Sequence, residues 1–205
     1  MRRTMPLLAT MALTLLGASG LALVAGVGSA TAESSVVGPG ESIQKAVNAA
    51  DPGDTIVVRG VHREDVVIGK DGIKLRGEDA VIEPPAKADS PCSRFFGPEA
   101  ICVLGDVNFK HYIKTNEVNE RVKDVSVSGF TIRGLKGEGK GRFAIDVLAA
   151  HNATVVGNHA TGNVTGGIVV GGSVNTTVTK NHVIGSPETD AEGIFVEGDA
   201  PTPRS

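Results

Sequence analysis

Residues Asn152–Gly185 read NATVVGNHATGNVTGGIVVGGSVNTTVTKNHVIG, and they state one pattern twice. Asn152 and Asn175, Thr154 and Thr177, Asn158 and Asn181, and His159 and His182 stand 23 residues apart, as do Ile145 and Ile168. Five matched pairs at one offset mark an internal repeat, and a period of about 20 to 50 residues is the signature of a repeat architecture. Backwards along the chain, VSVSGFTIRG lays Val127, Phe130 and Ile132 on Val155, Asn158 and Ala160, now 28 residues apart because GEGKGR lengthens a loop. Forwards, EGIFVEG lays Ile194 on Ile168 at a spacing of 26, with PETDA in the extra length. Strands keep their pattern while loops vary.

Such a period, divided into three short strands per turn, fits an all-β fold, a right-handed parallel β-helix whose coils hydrogen-bond to one another about 4.8 Å apart. In that register Val127, Val155 and Val178 point inward and stack, as do Ile132, Ala160 and Val183. Asn158 and Asn181 fall at an inner turn, where each amide reaches the coils on either side and satisfies polar groups that burial would leave unpaired. Phe130 takes the same place one coil earlier and ends this structural ladder with an apolar side chain.

Composition points the same way. Trp is absent, Tyr occurs once and Gly 27 times, so the core must be built from small aliphatic side chains, whose β-branched members favour strands. One segment reads as a helix: in ESIQKAVNAADPGD, Ile43, Ala46, Val47 and Ala50 follow helical spacing, Ser42 is placed to cap the start and Pro52-Gly53 ends it. This predicts an N-terminal cap over 33–54 with a short helix at 42–50, then coils over 55–199. The first strands are expected at 55–58, 66–68 and 73–75, between Gly- and Asp-bearing turns.

The N-terminus opens with Arg2-Arg3, runs through an apolar stretch from Pro6 to Val27 and reaches Ala30-Thr31-Ala32. That order predicts a signal peptide over 1–32, cleaved before Glu33, and a secreted, extracellular product with no membrane anchor after cleavage. The apolar stretch could nearly span a bilayer, but the small-residue site selects a cleaved leader. The formal charge is −3 and two Arg leave with the leader, so nothing supports the basic face that nucleic acid requires. In an oxidising compartment Cys92 and Cys102 are expected to form a disulfide that pins a local loop. The C-x-x-C spacing of redox or metal sites is absent.

The order of leader, GESIQKAVNAADPGDTIVV, VVIGKDGIKLRGED and coils of NATVVGNHATGN type resembles the secreted right-handed parallel β-helix repeat proteins of Gram-positive bacteria. The wider superfamily includes pectate lyases, polygalacturonases, pectin methylesterases and the NosD-type proteins of nitrous-oxide-reductase maturation. The resemblance implies a fold, while its activities are diverse. The Asn-Thr-Asp, paired-Asp, Gly-His-Gly and Arg-Ile-Lys motifs of the polygalacturonase-like enzymes are missing, as are the paired Asp, Gln and Arg of the methylesterase-like ones. A calcium-dependent lyase needs carboxylates grouped on one face and a base beside the substrate. The coil acids are Asp146, Glu192, Glu197 and Asp199; Asp146 is expected to face outward into solvent, stacked on Val169 and Phe195 rather than on other acids.

No catalytic residue can be assigned from this pattern, and no cofactor is expected unless the chain is a lyase, when calcium would be implied. His159 and His182, both outward on adjacent coils, are the two candidates for a shared metal ion, against the plainer reading that one repeated turn yields one repeated residue. His62 and His111 fall in loops. Asn152, Asn163 and Asn175 match the glycosylation sequon, but they coincide with the coil repeat and a turn role explains them. Residues 200–205 form a tail with no C-terminal cap, which suggests a truncated family member or a coil end open to self-association. Three functions follow: a non-catalytic extracellular or cell-surface module binding polysaccharide, a polysaccharide lyase or hydrolase or its remnant, and a NosD-like helper in metal-enzyme maturation.

Overall fold

The computed structural model describes residues 32–85, 87–133, 143–163, 166–185 and 192–197. The expected leader, the GEGKGR and PETDA loops and the 200–205 tail lie outside the described residues, apart from Ala32. In chain order the elements are β1 (Ser34–Val37), α1 (Ile43–Ala49), β2 (Thr55–His62), β3 (Val66–Ile68), β4 (Lys74–Ile82), α2 (Ser93–Phe96), β5 (Ile101–Leu104) and α3 (Phe109–Thr115). There follow β6 (Val122–Lys123), β7 (Ser126–Ile132), β8 (Phe143–Leu148), β9 (Ala150–His151), β10 (Thr154–Val156), β11 (His159–Asn163), β12 (Gly166–Gly171), β13 (Thr177–Thr179), β14 (His182–Gly185) and β15 (Glu192–Val196).

The protein is predominantly β, and its named strands pair in parallel. One sheet runs β1-β2-β4-β7-β10-β13, with β11 and β14 continuing beside β7. A second runs β15-β12-β8-β5-β3, and β6 pairs with β9, whose His151 bridges Val174 in parallel. The chain passes repeatedly from the first sheet to the second and back, so residues a repeat apart become neighbours. Val155 pairs with Val127 on one side and Val178 on the other; Ala160 pairs with Ile132 and Val183; Ile168 pairs with Ile145 and Ile194. The inward members of these rows, with Ile56, Leu75, Ile82, Ile101 and Val147, form one continuous aliphatic core.

β2 and β4 are longer than expected because each turns a corner and continues, with a register shift at the bend. The corner needs a left-handed backbone, and Asp79, Gly129, Gly157 and Lys180 all supply positive φ just before the row occupied by Phe130, Asn158 and Asn181. At Gly129 the requirement is doubled: a Cβ there would also meet the Gly77 carbonyl at 2.5 Å. A second left-handed row is made by Asp124, Asn152 and Asn175, whose side chains bond in sequence, Asn175 Nδ2 to Asn152 Oδ1 and Asn152 Nδ2 to Asp124 Oδ1. Asn tolerates this conformation better than most residues. The side chain of Asn163 lies outside the described residues.

The N-terminal helix forms where the spacing placed it. Ser42 Oγ accepts from Lys45 N, and the carboxylate of Glu64 accepts from Ile43 N and Gln44 N, so orphan donors of the first turn are met. Ile43 and Val47 are buried against the core. Gln44 then pairs its side-chain amide with both backbone groups of Val67, which occupies the edge of β3 as a further strand would. His62, expected in a loop, ends β2 and is buried, its ring nitrogens bonded to the Glu41 and Arg59 carbonyls.

Candidate functional site

Two excursions from the repeat, residues 83–100 and 105–121, carry α2 and α3 out from the strands. Cys92 and Cys102 are joined in a disulfide and both are fully buried, which ties the first excursion to β5. Phe95 and Phe109 stack with ring centroids 4.3 Å apart, joining α2 to α3. Tyr112 of α3 is buried above Gly171 and Gly172, at a closeness that leaves no room for a Cβ on either glycine.

Between α1, β3 and the first excursion lies a cleft of about 760 Å³. Val47, Val67, Pro85 and Pro91 give it apolar patches; Gln44, Asn48 and Ser90 give amide and hydroxyl groups; Arg63, Lys87, Asp65 and Asp89 give charge of both signs. Lys70 lines it too, with its ammonium held by the Asn48 and Ala50 carbonyls at the end of α1. A second cleft of about 520 Å³ shares Gly69 and Lys70 with the first and continues past Asp106 to Arg121.

Beneath the first excursion is a group of buried acids. Asp146 was expected outward and solvated; it is 2% exposed. Its side chain does leave the core face, between Ile145 and Val147, but the disulfide-bearing excursion covers that side of the sheet: Asp146 pairs in register with Cys102. Burial pushes its carboxyl up to about 7, the Val147 backbone opposes the shift and Glu197 adds to it. Glu99 is fully buried, and its carboxylate lies within 4.8 Å of both disulfide sulfurs. Burial foremost, then Asp146 and Asp65, hold Glu99 well above the usual carboxylate range. Among the described residues neither Glu99 oxygen has a hydrogen-bond partner, nor does Asp65 Oδ1. Asp65 Oδ2 accepts from Ser93 Oγ, which in turn meets Ser90 Oγ at 2.6 Å. Asp65 thus belongs both to the cleft wall and to the buried group. The sulfurs are spent in the disulfide and offer no thiolate to a metal.

The Asn row is bonded throughout. Asn158 Oδ1 accepts from Phe130 N at 3.0 Å, Asn158 N donates to Asn181 Oδ1 at 2.9 Å, and the two Nδ2 groups donate to the Val127 and Val155 carbonyls. His159 and His182 pair in register, exposed, with rings stacked 4.9 Å apart and inclined by 11°. A metal bound to imidazole lies near the plane of the ring and about 2.0–2.1 Å from its nitrogen. Two nearly parallel rings at this spacing have no common in-plane point, so the arrangement is that of a stack rather than a chelate. His111 stands on α3 and pairs with Glu117 at 2.6 Å.

The repeat displayed the Asn and His rows because they recur. Glu99 and Asp65 do not recur, and their sole sequence signal is an acid one or two residues before an apolar strand, in PEAICVL and EDVVI. No family model, curated protein or solved structure matches this chain.

Proposed function

We propose that the two parallel sheets are walls of a right-handed parallel β-helix capped by α1, and that the protein is an exported binding module whose ligand is a polysaccharide. The observation that carries the reading is the pair of adjoining clefts: they share Gly69 and Lys70 and form a trough from the 85–91 segment to Arg121. An extended chain of polar, partly apolar units suits such a trough, since amides, hydroxyls and mixed charges bond hydroxyl groups while Val and Pro patches meet the faces of sugar rings. Export is supported by the leader pattern of residues 1–32 and by a paired Cys92 and Cys102. A lyase or hydrolase is the second reading, favoured by acids of raised pKa under the trough, the kind of group general acid catalysis uses. Glu99 has no exposed surface from which to meet a substrate, so binding is preferred.

The test is affinity electrophoresis and calorimetry of the mature chain with neutral, acidic and cell-wall polysaccharides, run beside an assay for new reducing and unsaturated ends. Binding without new ends is expected, weakened about tenfold or more by combining Lys87→Ala with Asn48→Ala. New ends would establish the enzyme reading; no binding to any polysaccharide would remove both.

A further inference from the structure

The buried acids pose a problem of charge and hydrogen bonding that the protein alone leaves unsolved. Three carboxylate oxygens, Glu99 Oε1, Glu99 Oε2 and Asp65 Oδ1, are buried without a donor among the described residues. Glu99 has no exposed surface, and the groups acting on it are Asp146 and Asp65, both of its own sign. An ionised carboxylate in that position is costly unless a cation neutralises it. Protonation would remove the charge, yet it leaves an O–H and a carbonyl oxygen buried with nothing to bond, and each such group is itself unfavourable.

Two contacts bring the acids near each other: the Glu99 carboxylate lies within 4.8 Å of Cys92 Sγ, and the next residue, Ser93, donates its hydroxyl to Asp65. Val66 N donates to the Ala100 carbonyl, so Asp65 and Glu99 stand at the entrances of the neighbouring strands β3 and β5. Asp65 also lines the cleft, while its Oδ1 and both Glu99 oxygens are buried, so the pair lies behind the cleft wall. Ser93 Oγ holds the other Asp65 oxygen, leaving Oδ1 free to ligate.

We propose that Asp65 and Glu99 form a site for a hard divalent cation, of calcium type, set behind the cleft wall and closed by the disulfide-tied excursion. The donors are all oxygen, which selects hard cations over copper or zinc. Two carboxylates completed by water suit the flexible coordination of calcium better than the strict octahedron of magnesium. Asp146 stands behind the site and deepens its negative potential without ligating. The cation ties the 83–100 excursion to the β3 edge.

Calorimetric titration of the chelator-treated mature protein with calcium chloride tests this, with magnesium chloride in parallel. One calcium ion per chain is expected with a dissociation constant of about 10⁻⁴–10⁻³ M, the range of extracellular calcium modules, and a higher thermal midpoint in calcium than in EDTA. Glu99→Gln should abolish both effects. Asp65→Asn should weaken binding at least tenfold, and it serves if the Glu99 variant fails to fold. Asp146→Asn should keep the one-to-one stoichiometry. Wild-type protein that takes up no calcium, or a Glu99→Gln variant that binds as wild type does, would overturn the proposal. A Glu99→Gln variant more stable than wild type in calcium would overturn it too, since Glu99 would then be a neutral acid.

Discussion

At the scale of single residues, the most consequential side chain of the repeat is Asn158. It is 2% exposed and completes the backbone of β7 at two points, accepting from Phe130 N and donating to the Val127 carbonyl. Ala at this position leaves a buried donor and acceptor unpaired, and each costs about 1–3 kcal/mol. We expect Asn158→Ala to lower unfolding free energy by roughly 3 kcal/mol in urea denaturation, and Asn181→Ala, at the more open position, by less. Asp146 has the opposite character, because the fold holds a proton there that the unfolded chain releases. Its carboxyl is raised from 3.8 to about 7, so in EDTA stability is expected to fall as pH rises from about 4 to 7 and to level off above. Asp146→Asn should flatten much of that slope and be the more stable protein at pH 8. The remaining slope comes from Glu99, shifted in the same direction. A wild-type profile that rises across this interval would contradict the burial of Asp146.

At the scale of elements, the helix and the rows of strands were legible in sequence, and the excursions were not. α1 announces itself by local spacing and a capping Ser, and the repeat rows by recurrence at a fixed offset, so both are short-range signals. The burial of Asp146 depends on residues 83–121 folding over one face, and that segment repeats nothing. The Cys92–Cys102 bond, with a sequence separation of 10, holds its first part to β5 beside the Ser93–Asp65 bond, and the Phe95–Phe109 stack joins its two helices. A loop so short gives at most about 3 kcal/mol of chain-entropy stabilisation. Replacing both cysteines by Ala should therefore cost about 2–3 kcal/mol and act locally. Hydrogen exchange is expected to quicken over 83–100 while β7 and β10 keep their protection; uniform quickening would mean that the excursion holds up the whole fold.

At the scale of the whole molecule, the solenoid reading makes a demand that an ordinary open sheet does not. If each coil contacts only its neighbours, stability is close to a sum of coil and interface contributions, and one coil can be removed without disturbing the rest. Residues Asn158 and Asn181 define the unit, with a separation of 23. Excising residues 153–175 joins Asn152 to Thr176, two positions that meet the same turn, and brings Val178 into the place of Val155 beside Val127. The left-handed position is kept by Asn152, and Asn181 inherits the bond to Phe130 N. Excision of about half that length would instead bring residues of one sheet into the places of the other, where the rows no longer match in register. We expect the full-period variant to retain a β-rich circular dichroism spectrum and a cooperative transition at a lower midpoint, and the half-period variant to lose both. Equal damage from the two deletions would show that the sheets are not built from interchangeable coils.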